Sequence, residues 1–198
     1  SFESSLGEYP LEEVARVTSI NKKGNPIGIL KPGGEKQLNF WDSTGNNLIA
    51  SIANADSMDV AYTSFESGVS VGWTFNTNNV YRGTAIAGER LYRLTSGNQI
   101  SKSGLNSSKE YIVSFWYSST TPPSVSGASS GYPKLIASTE NWNLFHVKIS
   151  GVTNVNITGN GYIDDLRLYP LNAQMTTYTH RNGLGITSVS DVNGFVIN

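Results

Sequence analysis

Cysteine is missing from all 198 residues. Its absence excludes disulfide staples, thiol nucleophiles and thiolate-bound metals, but not a secreted location, because many secreted proteins lack cysteine. Histidine is scarce: His146 and His180 stand alone, far apart and without HExxH spacing, which makes no zinc site. Charge is scarce too, at 15% of residues with a net charge of −1. No basic patch stands out, so nucleic acid is not expected as a partner. No apolar run nears the length that crosses a bilayer, and no membrane span is expected. The chain starts at Ser1 without an initiator Met, a basic n-region or an apolar h-region. The expectation is a segment of a longer protein whose targeting signals lie elsewhere.

What the chain does have is Gly, Ser, Thr and Asn in quantity, with aromatics at 11%. Such a profile favours many turns between short strands, and three zones can be read on that basis. In residues 1–56, Val14–Ile20 alternates as a strand and Asn21–Pro26 supplies turn chemistry. Short strands at Ile27–Leu30, Lys36–Trp41 and Leu48–Ile52 follow, a meander of hairpins. In residues 57–170, strand-like runs fall at Val60–Phe65, Arg90–Leu94, Tyr111–Tyr117, Phe145–Ile149, Val155–Ile157 and Tyr162–Tyr169. Both faces of Tyr111–Tyr117 are largely apolar. Either this is a central strand covered on both sides, or one face is core and the other binds something. Ser118–Gly131 is dense in Ser, Thr, Pro and Gly and reads as a mobile loop. In residues 171–198, Ile186-Thr187-Ser188 and the Gly-closed turn after it echo Val17-Thr18-Ser19 and its turn. Two copies flanking the middle zone make that zone look like an insertion between repeat units. No segment reads as an amphipathic helix.

Two resemblances follow from these residues. The flanks, through Val17-Thr18-Ser19, Gly24-Asn25-Pro26-Ile27, Trp41-Asp42-Ser43-Thr44-Gly45-Asn46 and Ala173–Thr179, resemble Rhs/YD-repeat proteins of the kind common in Bacteroidetes. The middle zone resembles jelly-roll carbohydrate-binding modules with the galactose-binding-like fold. Its landmarks are Phe65-Glu66-Ser67-Gly68, Trp73, the Gly88–Leu94 segment, Tyr111–Trp116, Trp142 and Ile163-Asp164-Asp165-Leu166. Together they imply an all-β protein: a jelly-roll β-sandwich flanked by β-hairpin segments of a repeat array. They also imply an extracellular or cell-surface location, a glycan and neighbouring repeat segments as partners, and a structural calcium.

Glu66, Asp164 and Asp165 are the candidate metal ligands, since ionised carboxylates in a strand core need a cation or strong donors. Calcium wants six to eight oxygens, which carboxylates, carbonyls and waters can supply. Simple alternation puts Asp164 on the face of Tyr162, Leu166 and Leu168, and Asp165 with Ile163 and Arg167. The structural alternative pairs one Asp with Arg167 or a backbone donor and leaves the other in solvent. Trp116, Tyr117 and Tyr132 are the candidate ring platforms for a sugar, whereas Trp73 and Trp142 read as core. Gly68-Val69-Ser70-Val71-Gly72 matches a nucleophile-elbow string, but no helix-forming sequence follows it, and no catalytic residue is assigned. The functional expectation is a non-catalytic carbohydrate-binding or surface-display module; the alternative is a structural spacer that binds nothing small.

Overall fold

The computed structural model describes residues 14–66, 68–181 and 183–198. Residues 1–13, which include the start of the first zone, lie outside the described residues, as do Ser67 and Asn182. The first zone forms β1 (Arg16–Ile20), β2 (Pro26–Leu30), β3 (Lys36–Trp41) and β4 (Leu48–Ala53). The middle zone forms β5 (Ala61–Thr63), β6 (Val80–Arg82), β7 (Arg90–Leu94), β8 (Ile100–Ser103) and β9 (Tyr111–Tyr117). It continues with β10 (Ser124–Val125), β11 (Lys134–Ser138), β12 (Asn143–Ile149), β13 (Asn154–Thr158) and β14 (Gly161–Pro170). The tail adds β15 (Gln174–Arg181), β16 (Gly185–Ser190) and β17 (Val196–Ile197). Three short 3-10 turns are the only helical elements among the described residues, and none is long and apolar enough to cross a membrane.

All pairing is antiparallel and builds three sheets. The middle sheet runs β11-β12-β9-β14-β7-β6, with β5 added on β14. A three-stranded sheet, β10-β13-β8, faces one side of it, and a seven-stranded flank sheet, β1-β2-β3-β4-β15-β16-β17, faces the other. The result is an all-β, sandwich-like fold, compatible with a jelly roll and backed by an extra sheet. The loop expected at Ser118–Gly131 contains β10, whose Val125 pairs with Ile157 and enters the core.

Period-two alternation explains why the middle sheet is covered on both sides. On β9, Tyr111, Val113, Phe115 and Tyr117 face the three-stranded sheet, within a core that includes Phe65, Tyr92, Phe145, Ile157 and Leu168. Phe65, Phe75 and Tyr92 cluster with ring centroids 5.2–5.5 Å apart, in edge-on and stacked pairs. Each buried aromatic contributes roughly 1.5–3 kcal/mol relative to an exposed one. On the opposite face, Ile112 packs with Ile49, Ile52, Tyr62, Tyr169 and Met175 between the middle and flank sheets. Trp116 joins Leu91, Trp142 and Leu144, with Val196 of β17 packed against them.

The flanks meet in one sheet: β4 and β15 pair directly, with Ile52 opposite Met175 and Ala50 opposite Thr177. Everything between them in sequence, β5 to β14, leaves this sheet and returns to it.

Candidate functional site

The acidic landmarks sit where the middle sheet meets the flank sheet, and a β-bulge decides how. The register of β14 against β9 shifts between Asp164 and Arg167, and Asp165 has φ +45°. A bulge inserts one residue and changes which side chains share a face. Simple alternation therefore fails here. Ile163, Leu166 and Leu168 all enter the front core. Asp164, Asp165 and Arg167 instead make their contacts on the flank-sheet side, with the 86–87 segment, Thr177, Met175 and Asp191.

All three charged side chains are buried. The Oδ2 atom of Asp164 accepts the backbone N–H groups of Ile86 and Ala87, both at 2.9 Å, and its Oδ1 accepts that of Asp165 at 2.7 Å. Burial nevertheless pushes the Asp164 carboxyl well above the usual range, outweighing these bonds, and the neighbouring Asp165 charge pushes the same way. Asp165 accepts the Thr177 hydroxyl at 3.2 Å and faces Arg167 Nε at 3.6 Å. The Arg167 guanidinium also donates to the carbonyls of Asp191 at 2.8 Å and Met175 at 3.4 Å. Trp116 Nε1 donates to the carbonyl of Gly194 at 3.0 Å. Gly194 has φ +91°, and a Cβ there would run into the Arg167 guanidinium. A polar seam thus stitches the C-terminal turn and β15 onto the back of the middle sheet.

Glu66 lies apart from the seam. Phe65 adopts φ +59°, rare for an L-residue. The Thr63 hydroxyl holds it there by accepting the Phe65 N–H and donating to the Val69 carbonyl. The kink sends the Phe65 ring into the front core while Glu66 Oε1 accepts the N–H groups of Glu89 and Arg90 at 2.6 and 2.8 Å. A Cβ at Gly88 would lie 2.5 Å from that oxygen, so the loop requires a glycine. Glu66 and Asp164 therefore hold two ends of one loop, 86–90, by its backbone donors. The acids are surrounded by N–H groups and a guanidinium rather than by converging oxygens, and this donor set does not fit a calcium ion. Among the described residues, no group of three or more His, Asp or Glu side chains converges as a metal site.

The proposed ring platforms fall in three different settings. Trp116 is 3% exposed and Tyr117 2% exposed, so neither presents a ring face to a sugar. Tyr132 is half-buried against the front core, with Lys134 Nζ 5.0 Å from its ring centroid. Trp73 and Trp142 are buried, as their core reading anticipates. Ser70 of the elbow string is exposed and followed by no helix, only by the 3-10 turn Thr77–Asn79. His146 contacts the Asn193 carbonyl at 3.1 Å in the seam's C-terminal turn.

Two of the clefts that the sequence reading missed adjoin the turn at 42–44. The larger, about 700 Å³, lies between the flank sheet and the 88–90 loop and is lined by Glu66, Glu89, Arg82, Arg90, His180 and Arg181, among others. Its charges largely pair internally: Glu89 takes Arg82 at 3.1 Å and Arg181 at 3.3 Å. Burial lowers the His180 pKa. The second, about 410 Å³, sits between the turns at 21–25 and 42–46 and is lined by Trp41 and Asn39. Nothing local in the sequence marks either cleft, because each is assembled by turns brought together through sheet pairing.

No protein-family model matches the chain, and neither a curated protein nor a solved structure matches it.

Proposed function

We propose that this chain is a non-catalytic structural module of a longer, surface-displayed β-rich protein. In this reading the flank sheet is a stretch of a repeat array, and the sandwich is an insert that buttresses it. The observation that carries the reading is the β4–β15 pairing: the array crosses the insertion point as neighbouring strands, with 120 residues leaving and returning between Ala53 and Gln174. All of β1 is exposed, Val17 and Ile20 included, and among the described residues its strand partner is β2. Extracellular placement and Rhs-type repeats belong to this proposal, and glycan binding by the sandwich is the reading it competes with. Of the three aromatics considered for a glycan, only Tyr132 is within reach of one.

A buttress shares its core with the sheet it supports, whereas a binding domain hung on the array folds by itself. Scanning calorimetry of the whole chain separates the two. The buttress reading expects one transition with equal calorimetric and van't Hoff enthalpies. Two separated transitions, together with loss of glycan-array signal in Tyr132→Ala, would replace it with an independent carbohydrate-binding domain.

A further inference from the structure

The second cleft has a chemistry the module's structural role does not need. Of the four tryptophans, Trp73, Trp116 and Trp142 are buried, and only Trp41 is partly open. Its Nε1 donates to the Pro26 carbonyl at 3.0 Å, and the neighbouring Asn39 amide donates to the same oxygen at 3.3 Å. The indole is thereby fixed rather than swinging. The two turns beside it are tied together, because Asn21 and Asn25 both donate their side-chain amides to the Gly45 carbonyl, at 3.2 and 2.8 Å. Lys22 and Lys23 line the opening, both exposed and neither with a carboxylate partner among the described residues.

The one acid in the lining, Asp42, is already committed to its own turn. It accepts the Thr44 hydroxyl, the Asn46 and Asn47 N–H groups, and the Asn47 side-chain amide. These bonds outweigh its partial burial and lower its pKa. The cleft therefore presents a pinned aromatic ring within a mainly apolar lining, the second N–H of its side-chain amides, and two exposed ammonium groups without a carboxylate partner among the described residues. A sugar ring offers a C–H face to an aromatic and hydroxyls to amides, and a uronic acid adds a carboxylate for the lysines.

We propose that this cleft binds acidic polysaccharide, with Trp41 stacking on a uronate ring and Lys22 and Lys23 neutralising carboxylates along the strand. Charge alone would recruit any polyanion in a salt-screened manner. The fixed ring supplies the part that salt does not remove, and a truncated stacking aromatic costs tenfold or more in affinity. The site lies on the flank sheet, so a glycan held there would tie the array itself to a matrix.

The test is affinity electrophoresis of the whole chain through gels containing polygalacturonate, with neutral galactan as the control polymer, at low and high salt. Retardation is expected in polygalacturonate only, reduced but not abolished by high salt. Lys22→Gln with Lys23→Gln, both exposed and without bearing on folding, should remove the preference for the acidic polymer. Trp41→Ala, with its thermal midpoint checked, should weaken retention at least tenfold. No retardation in polygalacturonate, equal retardation in galactan, or full retention by the double lysine variant would each overturn the proposal. Retention that high salt abolishes completely, unchanged by Trp41→Ala, would reduce the cleft to a non-specific cationic patch and overturn it too.

Discussion

The two faces of the middle sheet are buried by different means. The front face, against β8, β10 and β13, is closed by apolar side chains: Val113, Phe115, Phe145, Val155, Ile157, Leu166 and Leu168. The back face, against the flank sheet, has two apolar patches, one around Ile52, Ile112 and Met175 and one around Leu91, Trp116 and Leu144. It also carries the buried Asp164–Asp165–Arg167 seam. An apolar face tolerates sliding and repacking, and its cost rises gradually with lost volume. A buried ion pair is a poor source of net stability, but losing one partner is severe. The front thus supplies cohesion, and the back supplies a fixed docking geometry between the middle sheet and the flank sheet.

Breaking the seam should give the largest effect. Arg167→Met leaves the Asp165 carboxylate buried without its cation and should cost about 3–5 kcal/mol by denaturant titration. Adding Asp165→Asn should recover most of that loss, short of the two carbonyls left without their guanidinium donor. A double variant as unstable as the single one would show that the pair is not what the seam depends on.

The acids should also respond oppositely to pH. In Asp164 burial raises the native pKa, so the native state holds the proton more tightly than the unfolded chain. Stability from this group therefore falls as pH rises from about 4 toward the raised value. Asp59 runs the other way: burial raises its pKa, but Lys109 and Tyr111 bonds at 2.5 and 2.7 Å outweigh this and lower it. Its stabilisation is present above about pH 4 and is lost as pH drops through the lowered value. Urea midpoints followed as a function of pH should flatten above about pH 4 in Asp164→Asn and below about pH 4 in Asp59→Asn. Parallel curves for wild type and Asp164→Asn would remove the seam's titration.

A front-face truncation should be milder. Ile157→Val, in a fully buried position, should cost about 1 kcal/mol with no change in the seam. A loss matching Arg167→Met would erase the contrast between the faces. Smallest of all should be the response to chelation: because N–H donors already satisfy Glu66 and Asp164, EDTA should leave the thermal midpoint where millimolar calcium leaves it. A calcium-dependent rise approaching the roughly 2.7 kcal/mol expected at a hundredfold excess over the dissociation constant would restore the ion.

Much of the architecture was legible in the sequence, since strands with strong alternation and turn residues at both ends announce themselves. Lys36–Trp41, Arg90–Leu94 and Tyr111–Tyr117 fall on the observed bounds. The apolar pattern on both faces of Tyr111–Tyr117 left two readings, a strand covered on both sides or a core face opposite a binding face, and the buried side chains on both faces match the first. Missed strands include the short Val80–Arg82, Ile100–Ser103 and Ser124–Val125, the largely exposed Lys134–Ser138, and the longer Gln174–Arg181, which was noted only for its resemblance. The site was less legible. Glu66, Asp164 and Asp165 stood out as costly residues, and pairing with Arg167 or a backbone donor was the alternative reading. Which way they faced depended on a bulge, and no local residue announces an extra position in a ladder. Trp116 looked open because its strand neighbours Ile112 and Ser114 gave no hint that the C-terminal turn at Gly194 would cover it.

The central claim is that β4 and β15 are hydrogen-bonded neighbours, so that the flank sheet is continuous although residues 54–173 lie between these strands in sequence. The chain has no cysteine of its own, which makes a two-cysteine probe clean. Ser51 and Thr176 are directly opposed on these strands and half-exposed. Ser51→Cys with Thr176→Cys, oxidised at low protein concentration, should form one intramolecular disulfide in the folded monomer. Mass spectrometry should find the 51–176 linkage, and the thermal midpoint should rise upon oxidation. Free thiols, or only intermolecular disulfides, in a variant that remains folded would contradict the account.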